Sequence, residues 1–369
     1  MKIAMVVNSY PPRVGGLEYH IENLAQGLSD LGHEVWVLTI SSTPGRRIDG
    51  EVRVLTGRAH LPIADVITLP SLGTTQALTR FLVQHGIDLV STHTRFFPMS
   101  FVGLQAARRA GIPVIHTEHG SGYVANFSPV IFVGSRAVDL TMGRYVLTHA
   151  DKVLGVSEPA ARFAEKLGAP AAEVFYNAIT PPQPTPPSPD RPTHLVFVGR
   201  VVAGKGWDTF LEAVRRLRER GTEVTGEILG DGAERERAVA YAQELGVSEI
   251  VAVRGRVSQE QVRQALRGST LVNPTVLSEG FQTTLLEAIA ERGRVVTFDV
   301  PGAYLLRKQG APVTICESKD AAGLSQALIE MLSAPPGPAD PSFITQWTWP
   351  VRAAQYATIA EQVIAAQVR

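Results

Sequence analysis

The sequence predicts an α/β protein made of two doubly wound, Rossmann-like domains facing an interdomain cleft. Three observations point there. Short apolar runs alternate with helical patterns along most of the chain. Those runs are nearly continuous in apolar residues, which is how parallel strands covered on both faces read. A proline-rich segment, "TPPQPTPPSPDRP" from Thr180 to Pro192, divides the alternation into halves. Its prolines lack backbone donors and favour extended geometry, so it reads as a semi-rigid connector. The length of 369 residues independently favours about two domains.

The first half, residues 1–180, opens with the strand "KIAMVV" and the helix "LEYHIENLAQGLSDL". That helix aligns Leu17, Ile21, Leu24, Leu28 and Leu31 on one stripe, and Gly32 ends it. "EVWVLTI", "IDLVSTH", "PVIHTEH" and "KVLGVS" follow as strands, the later ones set apart by helical stretches. After the linker, residues 193–345 alternate more cleanly. The strands are "HLVFVG", "TGEILG", "IVAVRG", "TLVNPTV" and "RVVTFDV", and the helices between them are "WDTFLEAVRRLRER", "ERERAVAYAQEL", "QEQVRQALRG" and "TLLEAIAERG". The last stretch, 346–369, is helical after Pro350 and stands outside the alternation, so either domain could receive it. In such folds ligands bind at the carboxyl ends of the strands.

Composition narrows the function. With 44% apolar and 19% charged residues the chain has the make-up of a soluble globular protein. Basic and acidic residues balance at 35 each, which gives no support for nucleic-acid binding. Arg215, Arg216, Arg218 and Arg220 alternate with acids on a helix and read as a solvated face. One cysteine, Cys316, excludes an internal disulfide and a Cys-rich metal site, and suits a reducing, cytoplasmic location. No run is apolar over the ~20 residues needed to span a bilayer, and the opening run is too brief for a secretory signal. Peripheral contact with a membrane face stays open. "THTRFFPMSFVG", with Arg95, reads either as such a patch or as the start of a core helix.

Candidate chemistry sits at strand ends. "VGRVVAGKGW" offers Arg200 and Lys205 beside Gly199, Gly204 and Gly206. Two cations on a glycine-rich loop suit a phosphate pair, although the same loop is a plausible exposed turn and lacks the Walker spacing. "SEGFQTTLLEAIA" carries Glu279 and Glu287 on either side of a helix start near Thr283 or Thr284. A helix start offers free N–H groups to a phosphate. Thr284-x-x-Glu287 also reads as a capping box with no ligand, whereas Glu279 has no such structural excuse. Were all eight steps helical, the carboxylates would lie ~12 Å apart along the axis, comparable to the span of a nucleotide-sugar. "NSYPPRVGGLEYH" places Gly15 and Gly16 at the first strand-to-helix turn, without the GxGxxG spacing of a dinucleotide site. "VIHTEHGSGY" places Glu118 and His119 just past a strand, where a histidine could orient a sugar, while His116 reads as a core residue. No histidine pair has zinc spacing and no Asp-x-Asp pair appears, so no metal or other cofactor is expected.

Taken together, "YPPRVGGLE", "TEHGSGY", "VGRVVAGKGWD", "ILGDGAERE" and "SEGFQTTLLEA" resemble the landmarks of the retaining glycosyltransferases of family four, in order and rough spacing. The likeness covers nearly the whole chain, and the Glu-x7-Glu pair is its most specific element. It implies the GT-B architecture and a nucleotide-sugar donor, a UDP- or GDP-sugar, used without a metal. It also implies an acceptor that is a glycan, a lipid-linked molecule or a small molecule. By the same resemblance Arg200 and Lys205 would neutralise the donor diphosphate, Glu287 would hold ribose hydroxyls, and Glu279 a hydroxyl of the transferred sugar. Amides around Gly280, Phe281, Gln282 and Thr283 would cradle the phosphates, and Arg256–Val257 would seat the base. His119 would contact the donor sugar, Gly15 and Gly16 would line the cleft, and the terminal helix would cross back to the first domain. The family usually has glycine where this chain has Gln282, which bears on sugar identity. A nucleotide-sugar epimerase of the same fold, or a non-catalytic nucleotide-sugar-binding subunit, are the alternatives.

Overall fold

The computed structural model describes residues 1–63, 67–123, 129–183 and 189–367. The chain divides into two compact units, Met1–Thr180 with Thr348–Arg369, and Pro181–Trp347. The centre of the proline-rich segment, residues 184–188, lies outside the described residues.

In the first unit β1 (Lys2–Val6), α1 (Gly16–Asp30) and β2 (Glu34–Ser41) begin a parallel sheet. β3 (Gly45–Asp49), β4 (Val52–Ile63) and β5 (Ile67–Pro70) follow, with β3 and β5 both antiparallel to β4. Then come α2 (Thr74–His85), β6 (Leu89–His93), α3 (Pro98–Ala110), β7 (Val114–Glu118), α4 (Pro129–Val138) and α5 (Arg144–His149). A π-helical turn, Asp139–Gly143, joins α4 to α5, and β8 (Lys152–Gly155), α6 (Glu158–Lys166) and β9 (Ala172–Val174) complete the sheet. Its main path runs β3-β4-β2-β1-β6-β7-β8-β9. Chain order therefore reverses between β1 and β6, and a crevice opens at the carboxyl ends of strands at such a point.

The second unit holds β10 (His194–Val198), α7 (Trp207–Glu219), β11 (Thr225–Leu229), α8 (Arg235–Glu244), β12 (Val251–Gly255) and α9 (Gln259–Leu266). It continues with β13 (Thr270–Asn273), α10 (Thr283–Ala290), β14 (Arg294–Thr297), α11 (Ala303–Lys308), β15 (Val313–Ile315) and α12 (Ala321–Ser333). All strands are parallel in the order β12-β11-β10-β13-β14-β15, so the reversal falls between β10 and β13. A 3₁₀ turn, Pro341–Trp347, ends this unit. The solvated face expected on α7 holds in part: Arg218 and Arg220 are exposed, whereas Arg215 and Arg216 are half-buried and Arg215 pairs with Glu219.

The terminal helix α13 (Trp349–Gln367) belongs to the first unit and packs on α1. Contact is close at Gly27, where an added Cβ would lie 2.7 Å from the Cβ of Ala353. Trp349, Ala353, Tyr356 and Ala360 join the core that β1, α1 and β2 build around Ile3, Met5, Ile21, Leu24 and Val37.

One buried charge cluster pins this unit. Arg95 follows β6 and is fully buried, donating from Nη1 to Glu118 Oε1 at 2.8 Å while its Nε lies 2.9 Å from Asp139 Oδ1. The backbone N–H groups of Arg95 and Gly120 add bonds to the Glu118 carboxylate at 3.1 and 2.7 Å. Arg95 is thus a core group and Phe97 is buried, so "THTRFFPMSFVG" is the start of a core helix, with α3 beginning at Pro98. Burial alone would raise the Glu118 carboxyl, but Arg95, His116 and the Gly120 N–H outweigh it and hold it at about 2.

Replacing Arg95 with Met leaves Glu118 and Asp139 buried without their cation, which costs about 3–5 kcal/mol. We expect that loss in the urea transition of the first unit. Glu118 contributes stability fully above its ordinary 4.5, and loses it as pH falls toward about 2. Acid unfolding of the parent chain should therefore steepen across that window, and Arg95→Met should unfold at a higher pH.

Candidate active site

The second unit gathers its candidate residues at the reversal between β10 and β13. Gly199 and Arg200 follow β10, and the loop runs through Lys205 into α7. The loop after β13 runs from Pro274 to Gln282 into α10. These loops pack on each other backbone to backbone. Gly206 has φ +87, and a Cβ there would lie 2.3 Å from the carbonyl oxygen of Pro274. Gly204 has φ +81, and its carbonyl accepts from Val276 N at 2.9 Å and Thr275 Oγ1 at 3.2 Å. Both glycines are therefore required by left-handed backbone and close packing. Their product is a contact: Lys205 Nζ lies 2.5 Å from Glu279 Oε1, with both side chains partly buried. Arg200 stands exposed on the same loop.

α10 starts at Thr283, as expected, with Gln282 as N-cap and no side-chain capping bond. The capping-box reading of Thr284 and Glu287 fails here, because the cap falls two residues earlier and Glu287 lies too deep in the helix to reach it. Glu287 is buried and accepts instead from Gln259 Nε2 at 2.9 Å. Burial raises its carboxyl above the ordinary range, and Gln259 and Arg263 offset only part of that. Residues 279–282 precede the helix, so the all-helical separation of the two carboxylates does not apply.

Arg256, exposed, and Val257, half-buried, follow β12 directly. Ser258 then closes a full capping box with Gln261 on α9, at 3.2 and 2.9 Å. That box sets Gln259 on Glu287, so the stretch expected to seat a base leads straight to the helix that holds the expected ribose carboxylate. Phe281 fixes the Gly280–Gln282 turn: it is buried, stacks on Trp347 with centroids 5.8 Å apart, and touches Gly302. Gln282 Nε2 is buried with no hydrogen-bond partner among the described residues.

In the first unit Gly15 is extended and Gly16 is the first residue of α1. A Cβ on Gly15 would lie 2.4 Å from Glu18 Oε2, whereas one on Gly16 would meet nothing within 4 Å. Glu18 accepts from Ser9 Oγ at 2.6 Å. A pocket of about 430 Å³ opens at the carboxyl ends of β1 and β2, lined by Asn8, Ser9, Arg13, Ser41, Arg47 and His60 among others. His119 follows β7, half-buried, with Nε2 3.2 Å from His93 Nδ1. Burial and the neighbouring rings of His20 and His93 hold its imidazole well below the ordinary histidine range, so it is neutral at pH 7. His116 is buried and bonded to Thr92 Oγ1 at 2.9 Å, a core residue as its place in the strand suggests.

With this geometry in view, the sequence profile of Glycosyltransferase Family 4 matches residues 14–182, and that of Glycosyl transferases group 1 matches residues 183–342. The chain belongs to glycosyltransferase family 4. Among the relatives of this family 4 chain is a GDP-mannose-dependent alpha-(1-6)-phosphatidylinositol monomannoside mannosyltransferase of Mycolicibacterium smegmatis. It is 24% identical over 96% of this chain and 97% of its own length. The phosphatidylinositol N-acetylglucosaminyltransferase GPI3 subunit of Saccharomyces cerevisiae (strain YJM789) is 25% identical over 81% of this chain and 68% of its own. The fold matches sucrose-phosphate synthase from Thermosynechococcus elongatus, with a TM-score of 0.76, 18% identity and 99% of both chains covered. Anabaena HepE in complex with UDP matches at 0.69, with 19% identity over 100% of this chain and 97% of that one. The fold of this glycosyltransferase is GT-B, each unit carrying a Rossmann-like parallel sheet.

Motif reading did not find the residues that position the others in this family 4 site. Gln259 and Trp347 carry no signal of their own, since each acts through a partner distant in sequence. The grouping of His20, His93 and His119 is equally invisible to linear spacing: one ring nitrogen from each lies within 4.8 Å of the other two.

Gly206→Ala should destabilise the second unit by more than about 1 kcal/mol, because its φ and the Pro274 carbonyl both oppose a side chain. Phe281→Ala should cost about 3–5 kcal/mol by emptying the space against Trp347. Denaturant unfolding followed by tryptophan fluorescence measures both.

Proposed function

We propose that this chain moves a hexosyl or related sugar from a UDP- or GDP-sugar to an acceptor hydroxyl, with retention at the anomeric carbon and no divalent ion on the diphosphate. The observation that carries this reading is the Lys205–Glu279 contact at the reversal of the second sheet, beside a helix start with no side-chain cap. A cation and a row of backbone N–H groups at that point suit a diphosphate. The UDP bound by the HepE neighbour and the GDP-mannose named for the mycobacterial relative fit the same donor class.

In this reading Lys205 and Arg200 neutralise charge that grows on the leaving diphosphate, and the amides of Gly280, Phe281, Gln282 and Thr283 bind its oxygens. Without donor, Glu279 holds Lys205 in place. A diphosphate carries more charge than one carboxylate, so it draws Lys205 away and frees Glu279 to accept from a sugar hydroxyl. Glu287 and Gln259 together meet the ribose hydroxyls, with the backbone of Arg256–Val257 at the base. His119, as a neutral imidazole, contacts the transferred sugar. Gly16 leaves room for substrate at the start of α1, and Gly15 makes room for Glu18.

The acceptor oxygen bonds to the anomeric carbon as the bond from that carbon to the phosphate oxygen breaks. The acceptor proton passes to the departing phosphate on the same face, and the nucleoside diphosphate leaves. We assign the acceptor to the pocket at the ends of β1 and β2, where hydroxyl and amide side chains beside Arg13 and Arg47 suit a hydroxyl-rich head group. We rank a lipid-linked polyol first among the acceptor classes, a choice that the phosphatidylinositol-based names of the relatives support. A single buried cysteine fits a cytoplasmic setting, and among the described residues no helix is long and apolar enough to cross a membrane.

Thermal melting with UDP, GDP and their sugars identifies the donor, since a ligand of the native state raises the midpoint. With donor saturating, Lys205→Ala and Glu279→Gln should each lower kcat by about 10²–10³, and near-normal turnover in either overturns these roles. Transfer should persist in EDTA and should require the acceptor. Conversion of the donor sugar without acceptor would show an epimerase, and binding without turnover a non-catalytic subunit. Gln282→Gly should change which donor sugar is preferred, because it removes the unpartnered amide of Gln282 from the turn.

A further inference from the structure

Three imidazoles converge in the first unit, from the carboxyl ends of three adjacent strands. His20 lies on α1, which follows β1; His93 is the last residue of β6; His119 follows β7. We propose that His20, His93 and His119 form a binding site for a Zn²⁺ ion, with a fourth position left for water on the half-buried side of His119. This goes beyond the glycosyl-transfer reading, and metal binding here stands or falls without it.

The argument is one of unsatisfied lone pairs. His20 is 1% exposed, and its Nδ1 is 2.6 Å from Asn177 Oδ1, an oxygen that can only accept. Nδ1 therefore carries the proton and Nε2 a bare lone pair. That Nε2 is buried and has no hydrogen-bond partner among the described residues. A buried acceptor left unpaired costs free energy and calls for a ligand. The nitrogens of the neighbouring rings supply the rest of a coordination sphere. His93 Nδ1 and His119 Nε2 stand 3.2 Å apart, close to the ~3.3 Å that Zn–N bonds of 2.0–2.1 Å imply for two ligands of a tetrahedron. One ring nitrogen from each histidine lies within 4.8 Å of the other two, so modest ring rotation closes the set.

Metal-bound histidines give their other nitrogen to a polar partner, which fixes the ring. His20 has Asn177. His93 has Ser91 Oγ at 3.1 Å from its Nε2, and Ser91 in turn accepts from Tyr356 at 2.7 Å. Ser91 and Tyr356 are fully buried, so the ring of His93 is held from behind by groups with no other role in the site. An all-nitrogen set of three imidazoles favours Zn²⁺, with Co²⁺ as its spectroscopic substitute. Because His119 is one ligand, an ion here also competes with the sugar contact assigned to that residue.

The test begins with the full chain, stripped with EDTA and titrated with ZnCl₂ and CoCl₂. We expect one ion per chain, a tetrahedral Co²⁺ absorption spectrum, and an X-ray absorption signature of three imidazoles around bound zinc. Fewer than three imidazoles overturns the proposal, and that result needs no variant. His20→Gln should weaken binding at least tenfold. Asn177→Ala keeps all three ligands and should weaken it about tenfold with the Co²⁺ spectrum unchanged, and wild-type affinity in both variants overturns the site. Zinc-loaded chain should transfer sugar several-fold more slowly than EDTA-treated chain. Equal rates at full occupancy would overturn the competition, and only this arm rests on the transfer reading.

Discussion

The second unit depends on how closely two loops can approach at the point where strand order reverses. At Gly206 the backbone leaves no room for a Cβ against the Pro274 carbonyl, and at Gly204 an added Cβ would press into Leu277. The candidate site of that unit is built on this approach. Lys205 sits between the two glycines, so when the loops close its side chain reaches the turn that carries Glu279. The same turn ends in Gln282 and releases the first N–H groups of α10. Side chains larger than glycine would separate the loops and with them the cation, the carboxylate and the helix start.

The first unit keeps its polar groups inside by a different route. Its buried arginine is matched by two carboxylates and backbone donors, so charge enters the core already compensated. Burial lowers the imidazoles of His20, His93 and His119 and keeps them neutral, and neighbouring rings reinforce this at His93 and His119. These clusters sit one residue apart, at Glu118 and His119. The anchor at Glu118 thus fixes the backbone from which His119 projects, and a change at Arg95 would be felt at the imidazole without touching it.

Periodicity and motif order were enough to read the parallel core of both units, because each strand there is buried on both faces and reads as an apolar run. The stretch from Gly45 to Pro70 went unassigned for a physical reason. β3 and β4 form a half-exposed antiparallel edge, in which Arg46, Arg47, Arg53 and Arg58 interrupt any apolar run. The placement of α13 on α1 was open from its sequence alone, since its alanines suit almost any apolar surface. What fixes it is the fit of Ala353 at Gly27, a contact between residues more than 300 positions apart. In the candidate site, the chemistry-bearing residues carried their own signals: Lys205 and Arg200 among glycines, Glu279 in a turn. Their supports did not. Gln259, Trp347 and Asn177 are ordinary residues whose meaning comes only from a partner brought near by the fold.

The two glutamates of "SEGFQTTLLEA" show why residue type alone could not assign roles. Spacing made them equivalent, with Glu287 the weaker candidate because a cap could explain it. The fold reverses that ranking of excuses. Glu279 has a structural partner in Lys205, and Glu287 has no cap to make. A carboxyl that is buried, raised by desolvation and met by a neutral amide is held at a cost. Arg263 moderates that cost, and it also pairs with Glu291. In the proposed function the vicinal hydroxyls of the ribose are the further donors that would balance Glu287. In the proposed function Glu287 thus has the stronger claim to a ligand, and Glu279 would change partner when a more highly charged group reaches Lys205.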